Sequence, residues 1–217
     1  MAGGMGKTVV VTGGCVGIGA TISSVLAAAG WEVARTSSRR GAGAEIHADL
    51  STPEGVDEAA KAVFSHFDGG PQAIVNNAAL FSGGEDAINC SIVVATAKFI
   101  EGFRGLPSAE GAPARTLVNI IDAAVMRPGF EPRTAYEKAK RRVALWTEGA
   151  LDPARRFRVV GVAPGPVSPP PCGGVKAPPC PFGRPSAADV ASAVLFLLES
   201  PRIAGCIKPV DGGSRLV

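Results

Sequence analysis

The sequence predicts an α/β fold in which helices cover both faces of one doubly wound, parallel sheet of about seven strands. Short β-branched runs alternate with helical segments along the chain, and no segment is repeated. A glycine-rich turn joins the first strand to the first helix. A chain of 217 residues fits one domain of this kind, and we expect residues 1–217 to form it.

Composition and charge argue against several classes of function. Hydrophobic residues make up 46% of the chain and aromatic residues 6%, so we expect a core of Ala, Val, Leu and Ile. The net charge is +3 and the basic residues stand in short, scattered clusters, which argues against nucleic acid as a partner. The apolar run at 191–198 is too short to span a bilayer, so we expect no membrane partner.

The cysteines predict reduced thiols rather than a structural framework. They are five in number and lack C-x-x-C spacing, so we expect neither a disulfide framework nor a zinc or other metal site. The first strand is predicted to begin after six residues, so we expect no signal peptide. Together these features predict a cytoplasmic protein.

The first strand, predicted over Thr8–Thr12, leads directly into a glycine-rich turn and a helix predicted over Ala20–Ala29. Glycine lets the backbone turn tightly and approach a pyrophosphate, and the helix N-terminus offers free N–H groups to the phosphates. The stretch therefore predicts a dinucleotide site, the alternative being an ordinary strand-to-helix loop. Its predicted cofactor contacts are Gly13, Gly17, Ile18 and Gly19.

The second strand, predicted over Glu32–Thr36, ends where a dinucleotide fold selects its cofactor. An acidic residue there would bind the adenosine ribose of NAD, whereas cationic and hydroxyl groups suit the 2′-phosphate of NADP. Here Ser38, Arg39 and Arg40 follow the strand and no acid does, so the sequence predicts NADPH as the cofactor. The alternative is a solvated arginine pair in a surface loop.

Only residues 41–44 separate this loop from the third strand, predicted over 45–50. A parallel crossover normally takes about a dozen residues or more, so we expect an abbreviated second crossover without a helix. Asp49 and Leu50 end the third strand, where an adenine amino group could lie. His47 alternates with apolar residues and is predicted to be structural.

The later elements continue the alternation of strands and helices. The stretch Pro169–Pro185 is rich in Pro, Gly and Cys and predicts a loop, either a lid over a site or an inert surface loop. The remaining helices are predicted over Ser51–Phe67, Asp86–Phe103, Thr134–Ala150 and Ser186–Glu199. The remaining strands are predicted over Ala73–Val75, Thr116–Ile121, Arg158–Ala163 and Cys206–Val210.

Five motifs in this order resemble those of the short-chain dehydrogenase/reductases, over essentially the whole chain. They are Thr12-Gly13-x-x-x-Gly17-x-Gly19, Asn76-Asn77-Ala78-Ala79, Tyr136-x-x-x-Lys140, Pro164-Gly165-Pro166-Val167-Ser168 and Val210-Asp211-Gly212-Gly213. The resemblance implies a Rossmann-type fold and a homotetramer or homodimer. It also implies cofactor contacts from Asn77, Ala78, Pro164, Gly165, Val167 and Ser168, the last at the nicotinamide end.

Tyr136 and Lys140 are spaced so that both lie on one face of a helix. A phenol titrates near pH ~10, and a neighbouring cation favours its ionised form, so we expect Lys140 to lower the pKa of Tyr136. The alternative is an amphipathic helix that carries both residues without a catalytic role. By resemblance, Tyr136 is the general acid in reduction and Lys140 also holds the nicotinamide ribose. Asn89 resembles the asparagine that positions a water for the lysine.

Asp122 stands where most members of the family carry a serine, and this resembles the pteridine reductase subgroup. Phe81 likewise resembles the aromatic residue that sandwiches a pterin against nicotinamide. A carboxyl group suits C=N reduction, because it can donate to a ring nitrogen when protonated and hold an amino-pyrimidine edge when ionised. The alternative is a solvated carboxylate at the end of a strand. Two departures from the subgroup are Gly17, where it has arginine, and a shorter segment between Phe81 and Asn89.

The sequence therefore predicts an NADPH-dependent reductase that transfers hydride to a pterin or a related planar heterocycle. The small-molecule substrate would be bound by Phe81, Asp122 and Tyr136. One alternative is an NADPH-dependent carbonyl reductase or alcohol dehydrogenase in which Asp122 merely replaces serine. Another is an NADP(H)-binding sensor or scaffold without turnover.

Overall fold

The computed structural model describes residues 6–107, 113–149, 157–168 and 178–217. Within these ranges, seven parallel strands form one sheet in the order β3-β2-β1-β4-β5-β6-β7. The strands are β1 (Thr8–Val11), β2 (Glu32–Ser37), β3 (Ile46–His47), β4 (Ala73–Asn76), β5 (Arg115–Ile120), β6 (Phe157–Pro164) and β7 (Ile207–Val210). The order in which strands are added to the sheet reverses between β1 and β4, and in sheets of this kind the ligand crevice lies at the carboxyl ends of the two strands at that point. This confirms the predicted doubly wound α/β fold.

The helices are α1 (Gly17–Ala28), α2 (Pro53–Ser65), α3 (Glu85–Asn89), α4 (Ala95–Gly105), α5 (Ala135–Gly149) and α6 (Ala187–Glu199). The single helix predicted over Asp86–Phe103 is wrong in one respect, because a π-helical turn at Cys90–Val94 separates α3 from α4. A π turn adds one residue locally, and an apolar pattern of helical period does not reveal it.

Alternate residues of β1 pack into different layers of the core. Val9 and Val11 are fully buried in a cluster with Ile22 of α1 on one face of the sheet. Val10 is buried on the opposite face, in a cluster with Phe99 of α4. This alternation explains why β1 is apolar throughout, as expected of a parallel strand covered on both faces.

The second crossover contains no helix, as predicted, but the third strand is shorter than predicted. Only Ile46 and His47 pair with β2, opposite Thr36 and Ser37. His47 is exposed, and its Nε2 lies 3.2 Å from the carbonyl oxygen of Ser38, which fits the structural role predicted for it.

Side chains cap two helices at the positions where the sequence predicts their starts. Thr52 Oγ1 accepts a hydrogen bond from the N–H of Gly55, 3.1 Å away, at the start of α2. Ser186 and Asp189 form a reciprocal capping box at the start of α6.

A buried arginine closes the other end of α6. The Arg158 guanidinium donates to the carbonyl oxygens of Leu197 (2.8 Å) and Ser200 (3.1 Å), and also to that of Ile203. Its Nε donates to Thr116 Oγ1 at 3.0 Å. The carbonyls left unpaired at the end of the helix thus find partners inside the protein.

Part of the predicted lid lies outside the described residues, since the stretch Pro169–Pro185 includes residues 169–177. The described remainder packs on the terminal motif, where the N–H of Phe182 donates to the carbonyl of Gly212 at 3.1 Å. Within the described ranges, no helix has the length and apolar character needed to cross a membrane. Cys15, Cys90, Cys180 and Cys206 are free thiols, and Cys172 lies outside those ranges.

Candidate active site

The glycine-rich turn brings the start of α1 into direct contact with the end of β1. Gly13 and Gly17 have φ values of 63° and 55°, in the left-handed region that glycine tolerates. A Cβ on Gly19 would lie 2.2 Å from the carbonyl oxygen of Gly13, so only glycine fits there. The helix begins at Gly17, earlier than the predicted Ala20, and its N-cap residue Val16 makes no side-chain hydrogen bond. The first N–H groups of α1 are thus not capped by a side chain, as a phosphate site requires.

Asn77 and Ala78 fasten this turn to the neighbouring strand. Thr12 Oγ1 accepts hydrogen bonds from the N–H groups of Asn77 (2.9 Å) and Ala78 (3.0 Å). The Asn77 amide nitrogen donates to the carbonyl of Thr12 at 2.9 Å. The Asn77 side chain is therefore engaged with the wall of the crevice, and its predicted part in cofactor binding would be to shape the glycine turn.

The predicted adenosine end lies at the carboxyl ends of β2 and β3. Ser38, Arg39 and Arg40 are exposed there, and the N–H of Arg39 donates to Ser37 Oγ at 3.1 Å. Asp49 is exposed, and its hydrogen bonds with Ser51 lower the pKa of its carboxyl. The side chain of Leu50 is buried in the core, so only its backbone is available to a ligand.

The turn after β6, predicted to hold the nicotinamide end, is supported by the terminal motif. The N–H of Gly165, next to Pro164, donates to the carbonyl of Val210 at 2.9 Å. A Cβ on Gly165 would lie 2.7 Å from Cβ of Asp211, so the two turns pack without space for a side chain. Val167 and Ile18 pack against the same core cluster, and exposed Ser168 is held by a hydrogen bond from its N–H to the carbonyl of Pro185 (2.9 Å).

Tyr136 and Asp122 meet beside this turn. The Tyr136 hydroxyl donates to Asp122 Oδ2 at 3.3 Å, and the N–H of Ala124 donates to Oδ1 at 2.8 Å. Asp122 is the N-cap of a one-turn 3₁₀ helix, Ala123–Met126, which fixes its carboxylate toward α5. The carboxylate is half-buried and paired rather than simply solvated.

Lys140 lies one turn further along α5 and is buried, with 4% of its surface exposed. Its Nζ donates to the carbonyl of Ile120 at 2.6 Å and lies 5.7 Å from the centre of the Tyr136 ring. Burial lowers the pKa of Lys140 to about 8, an effect that the charge of Asp122 partly opposes.

The prediction that Lys140 lowers the pKa of Tyr136 is wrong for this geometry. Burial raises the pKa of the phenol, and the negative charge of Asp122 together with their hydrogen bond raises it further. Burial also raises the pKa of Asp122, against the effects of the Ala124 N–H, Lys140 and Tyr136. The ammonium group of Lys140 donates to the carbonyl of Ile120, whereas the carboxylate of Asp122 contacts the Tyr136 hydroxyl directly. Asp122 therefore affects the pKa of the phenol more than Lys140 does.

Phe81 covers the tyrosine from the solvent side. Its ring centre lies 4.9 Å from that of Tyr136 at an interplanar angle of 31°, although 76% of Phe81 is exposed. Asn89 is half-buried at the end of α3, where the π turn begins. In the described part of the chain, no hydrogen bond joins Asn89 to Lys140. The structure thus brings Phe81, Asp122, Tyr136 and Lys140 together and leaves Asn89 on the adjoining helix.

Two features of the site were missed by the sequence analysis. Asn76 Nδ2 donates to Thr96 Oγ1 (2.8 Å) and Asn119 Oδ1 (3.1 Å), and Asn119 Nδ2 donates to Thr147 Oγ1 (3.0 Å). These buried hydrogen bonds join the ends of β4 and β5 to the helices beside them. The only feature of the sequence that could have indicated them is an asparagine near the end of each strand. The second feature is an ion pair between Arg35 and Glu45, at 2.7 Å, beside the glycine turn.

Comparison with known proteins identifies the family. The model of the short chain dehydrogenase family matches residues 7–175, and no curated protein matches the chain significantly. A blue fluorescent protein from a metagenomic library, solved with NADPH, is 25% identical with a TM-score of 0.78, over 96% of this chain and 97% of its own. FolM alternative dihydrofolate reductase 1 from Brucella canis, solved with NADP, is 26% identical with a TM-score of 0.76, over 97% and 94%.

A third solved structure, 3-ketoacyl-(acyl-carrier-protein) reductase from Brucella melitensis with NADH, has a TM-score of 0.79. It is 24% identical over 97% of this chain and 98% of its own, a likeness that shows the fold. The family match spans the glycine turn, the crevice wall and the pair on α5. The chain belongs to the short chain dehydrogenase family and is an NAD(P)-dependent short-chain oxidoreductase.

Proposed function

We propose that this oxidoreductase uses NADPH to reduce a pterin or a related planar nitrogen heterocycle. The observation that carries the proposal is the hydrogen bond between Tyr136 and Asp122 beneath the exposed ring of Phe81. A proton donor, a carboxyl group and a flat apolar surface are the three features that such a substrate requires.

The residues around the crevice fit a dinucleotide. The backbone packs so closely at Gly19 that no side chain would fit there. The N–H groups at the start of α1 suit a pyrophosphate. Exposed Arg39 and Arg40 would hold the 2′-phosphate, and Lys140 with the turn at Gly165 would hold the nicotinamide end. When bound, the nucleotide supplies the hydride.

Asp122 and Tyr136 would supply the proton. Because burial raises the pKa of both groups, the pair keeps a proton at neutral pH, held between the phenol and Oδ2 of Asp122. A ring nitrogen placed beside the pair can accept that proton as hydride arrives. The charge of Lys140, 5.7 Å from the ring centre, would stabilise the anion left behind.

Phe81 would bind the flat ring of the substrate. Its ring is tilted by 31° from that of Tyr136 and is largely exposed, so it presents an apolar face next to the proton donor. Aromatic rings stack favourably in offset or tilted geometries. The dihydrofolate reductase that is 26% identical to this chain was solved with NADP, and its activity on dihydrofolate supports a substrate of this class.

A carbonyl reductase or alcohol dehydrogenase is the second candidate, and Gly17 is the observation that favours it. Gly17 stands where the pteridine reductase subgroup has arginine, and its φ of 55° would strain any other residue. A sensor or scaffold without turnover is the third candidate, since the segment between Phe81 and Asn89 is short. Assembly as a homodimer or homotetramer and a cytoplasmic location remain predictions from the sequence.

The purified chain can be tested with NADPH or NADH against a dihydropterin and an activated carbonyl compound. We expect NADPH-dependent turnover of the dihydropterin. Turnover of the carbonyl compound alone would favour the second candidate. Cofactor binding without turnover of either compound would favour the third.

A further inference from the structure

The loop that joins β2 to β3 carries the cations assigned to the 2′-phosphate but has no secondary structure of its own. Gly41 and Gly43 have φ values of 77° and 72°, which few other residues adopt. Arg39 and Arg40 precede them and are exposed. A loop of this composition has many conformations in isolation, so contacts from outside must hold it in one.

Arg35 of β2 and Glu45 provide those contacts. Arg35 Nε (3.2 Å) and Nη2 (2.7 Å) donate to the two carboxylate oxygens of Glu45, and the backbone N–H of Arg35 donates to Oε2 at 2.7 Å. Nη2 also donates to the carbonyl of Gly43 at 2.6 Å. A two-pronged arginine–carboxylate contact fixes orientation better than a single ion pair, although the side chains are 37% and 36% exposed.

The same arginine touches the glycine turn. A Cβ on Gly14 would lie 2.9 Å from Cγ of Arg35, so the arginine stem lies against the turn. The guanidinium is directed at Glu45 and Gly43, which are on the loop. Hydrogen bonds from Arg35 lower the pKa of Glu45 to about 2, so the carboxylate stays ionised and paired at neutral pH.

We propose that Arg35 and Glu45 are positioning residues that set the preference for NADPH over NADH. Together they hold the loop beside the glycine turn, so that Arg39 and Arg40 face the position of the adenosine 2′-phosphate. The pairing also neutralises Glu45, whose free carboxylate would repel that phosphate and suit a ribose hydroxyl instead. This inference rests on the proposed use of NADPH.

The test is a direct titration of NADPH and of NADH, followed by cofactor fluorescence, with Glu45→Ala. Removing an acid near a polyanion ordinarily tightens binding, so weaker binding would show that the acid positions the loop. We expect the Kd for NADPH to rise about tenfold, with the Kd for NADH nearly unchanged. Glu32→Ala, which removes an exposed acid at the far end of β2, should change neither value. Unchanged or tighter NADPH binding in Glu45→Ala would overturn the inference.

Two further measurements separate positioning from direct binding. Trypsin cleavage after Arg39 or Arg40, followed by mass spectrometry, should be faster in Glu45→Ala than in the wild type. In a double-mutant cycle, Arg35→Ala combined with Glu45→Ala should weaken NADPH binding no more than Arg35→Ala alone. Additive losses or unchanged cleavage would contradict the inference.

Different results test the proposed use of NADPH and the role of the Arg35–Glu45 pair. Equal affinities for NADPH and NADH in the wild type, or no loss of NADPH binding in Arg39→Ala, would contradict the proposed use of NADPH. A wild-type preference whose size is unchanged in Glu45→Ala would contradict only the role given to the Arg35–Glu45 pair.

Discussion

The hydroxyl of Tyr136 donates to Oδ2 of Asp122 at 3.3 Å, so a phenol and a carboxylate from separate elements form one hydrogen-bonded pair. Asp122 follows β5 and caps a 3₁₀ turn, while Tyr136 lies in the first turn of α5. Burial, and then the charge of the carboxylate, raise the pKa of the phenol, so the hydroxyl carries its proton at neutral pH. The pair also distinguishes this site from one that has serine in place of Asp122.

Replacing Tyr136 by Phe should abolish most turnover without unfolding the protein. The ring keeps its packing against Phe81, and only the hydroxyl is lost. We expect kcat to fall about 10²–10⁴-fold, the usual contribution of a positioned proton donor, while NADPH binding is retained. The checks are steady-state kinetics, cofactor titration and circular dichroism. A kcat close to that of the wild type would place the acid elsewhere, with Asp122 the first residue to test.

Turnover should decline as pH rises through about 8, the pKa to which burial lowers Lys140. Below that pH Lys140 is charged and stabilises the anion that forms at the Asp122–Tyr136 pair; above it the lysine is neutral. The pH profile of kcat measures this decline. Lys140→Ala should lower kcat at pH 7, remove the decline near pH 8 and weaken NADPH binding. A decline that persists in Lys140→Ala belongs to another group.

Replacing Arg158 by Met should destabilise the fold while leaving the candidate site unchanged. The substitution leaves the carbonyls of Leu197 and Ser200 at the end of α6 without their donor. We expect the free energy of unfolding to fall by about 3 kcal/mol, as when buried polar groups lose charged partners. Urea denaturation measures the change. Arg142→Met, an exposed substitution on α5, is the control, and an equal loss in both variants would refute the role of Arg158.

Local patterns predicted the parts of the structure that depend on nearby residues. The strand, glycine turn and helix follow from the sequence because the backbone conformations of Gly13 and Gly17 suit few other residues. The start of α2 could be predicted because the hydroxyl of Thr52 caps the helix. The absence of a helix between β2 and β3 could be predicted because too few residues separate the two strands.

Contacts between distant segments could not be predicted in the same way. The π turn at Cys90–Val94 continues the helical backbone from Asn89 to Ala95 without a break, so the apolar pattern did not reveal it. Asp122 and Tyr136 were each singled out, but their hydrogen bond, which raises the pKa of the phenol, depends on how α5 docks beside β5. The Arg35–Glu45 pair was missed because its residues lie on opposite sides of a loop whose path the sequence does not specify.

The identity of the substrate is tested through Asp122 and Phe81 together. The measurement is kcat/KM for a dihydropterin and for a simple activated carbonyl compound, in the wild type, Asp122→Ser and Phe81→Ala. If a pterin ring lies on Phe81 and faces Asp122, both substitutions should lower the dihydropterin value about tenfold or more, and Asp122→Ser should not yield an equally good carbonyl reductase. An unchanged or improved dihydropterin rate in Asp122→Ser, or a wild type that reduces only the carbonyl compound, would contradict a pterin substrate.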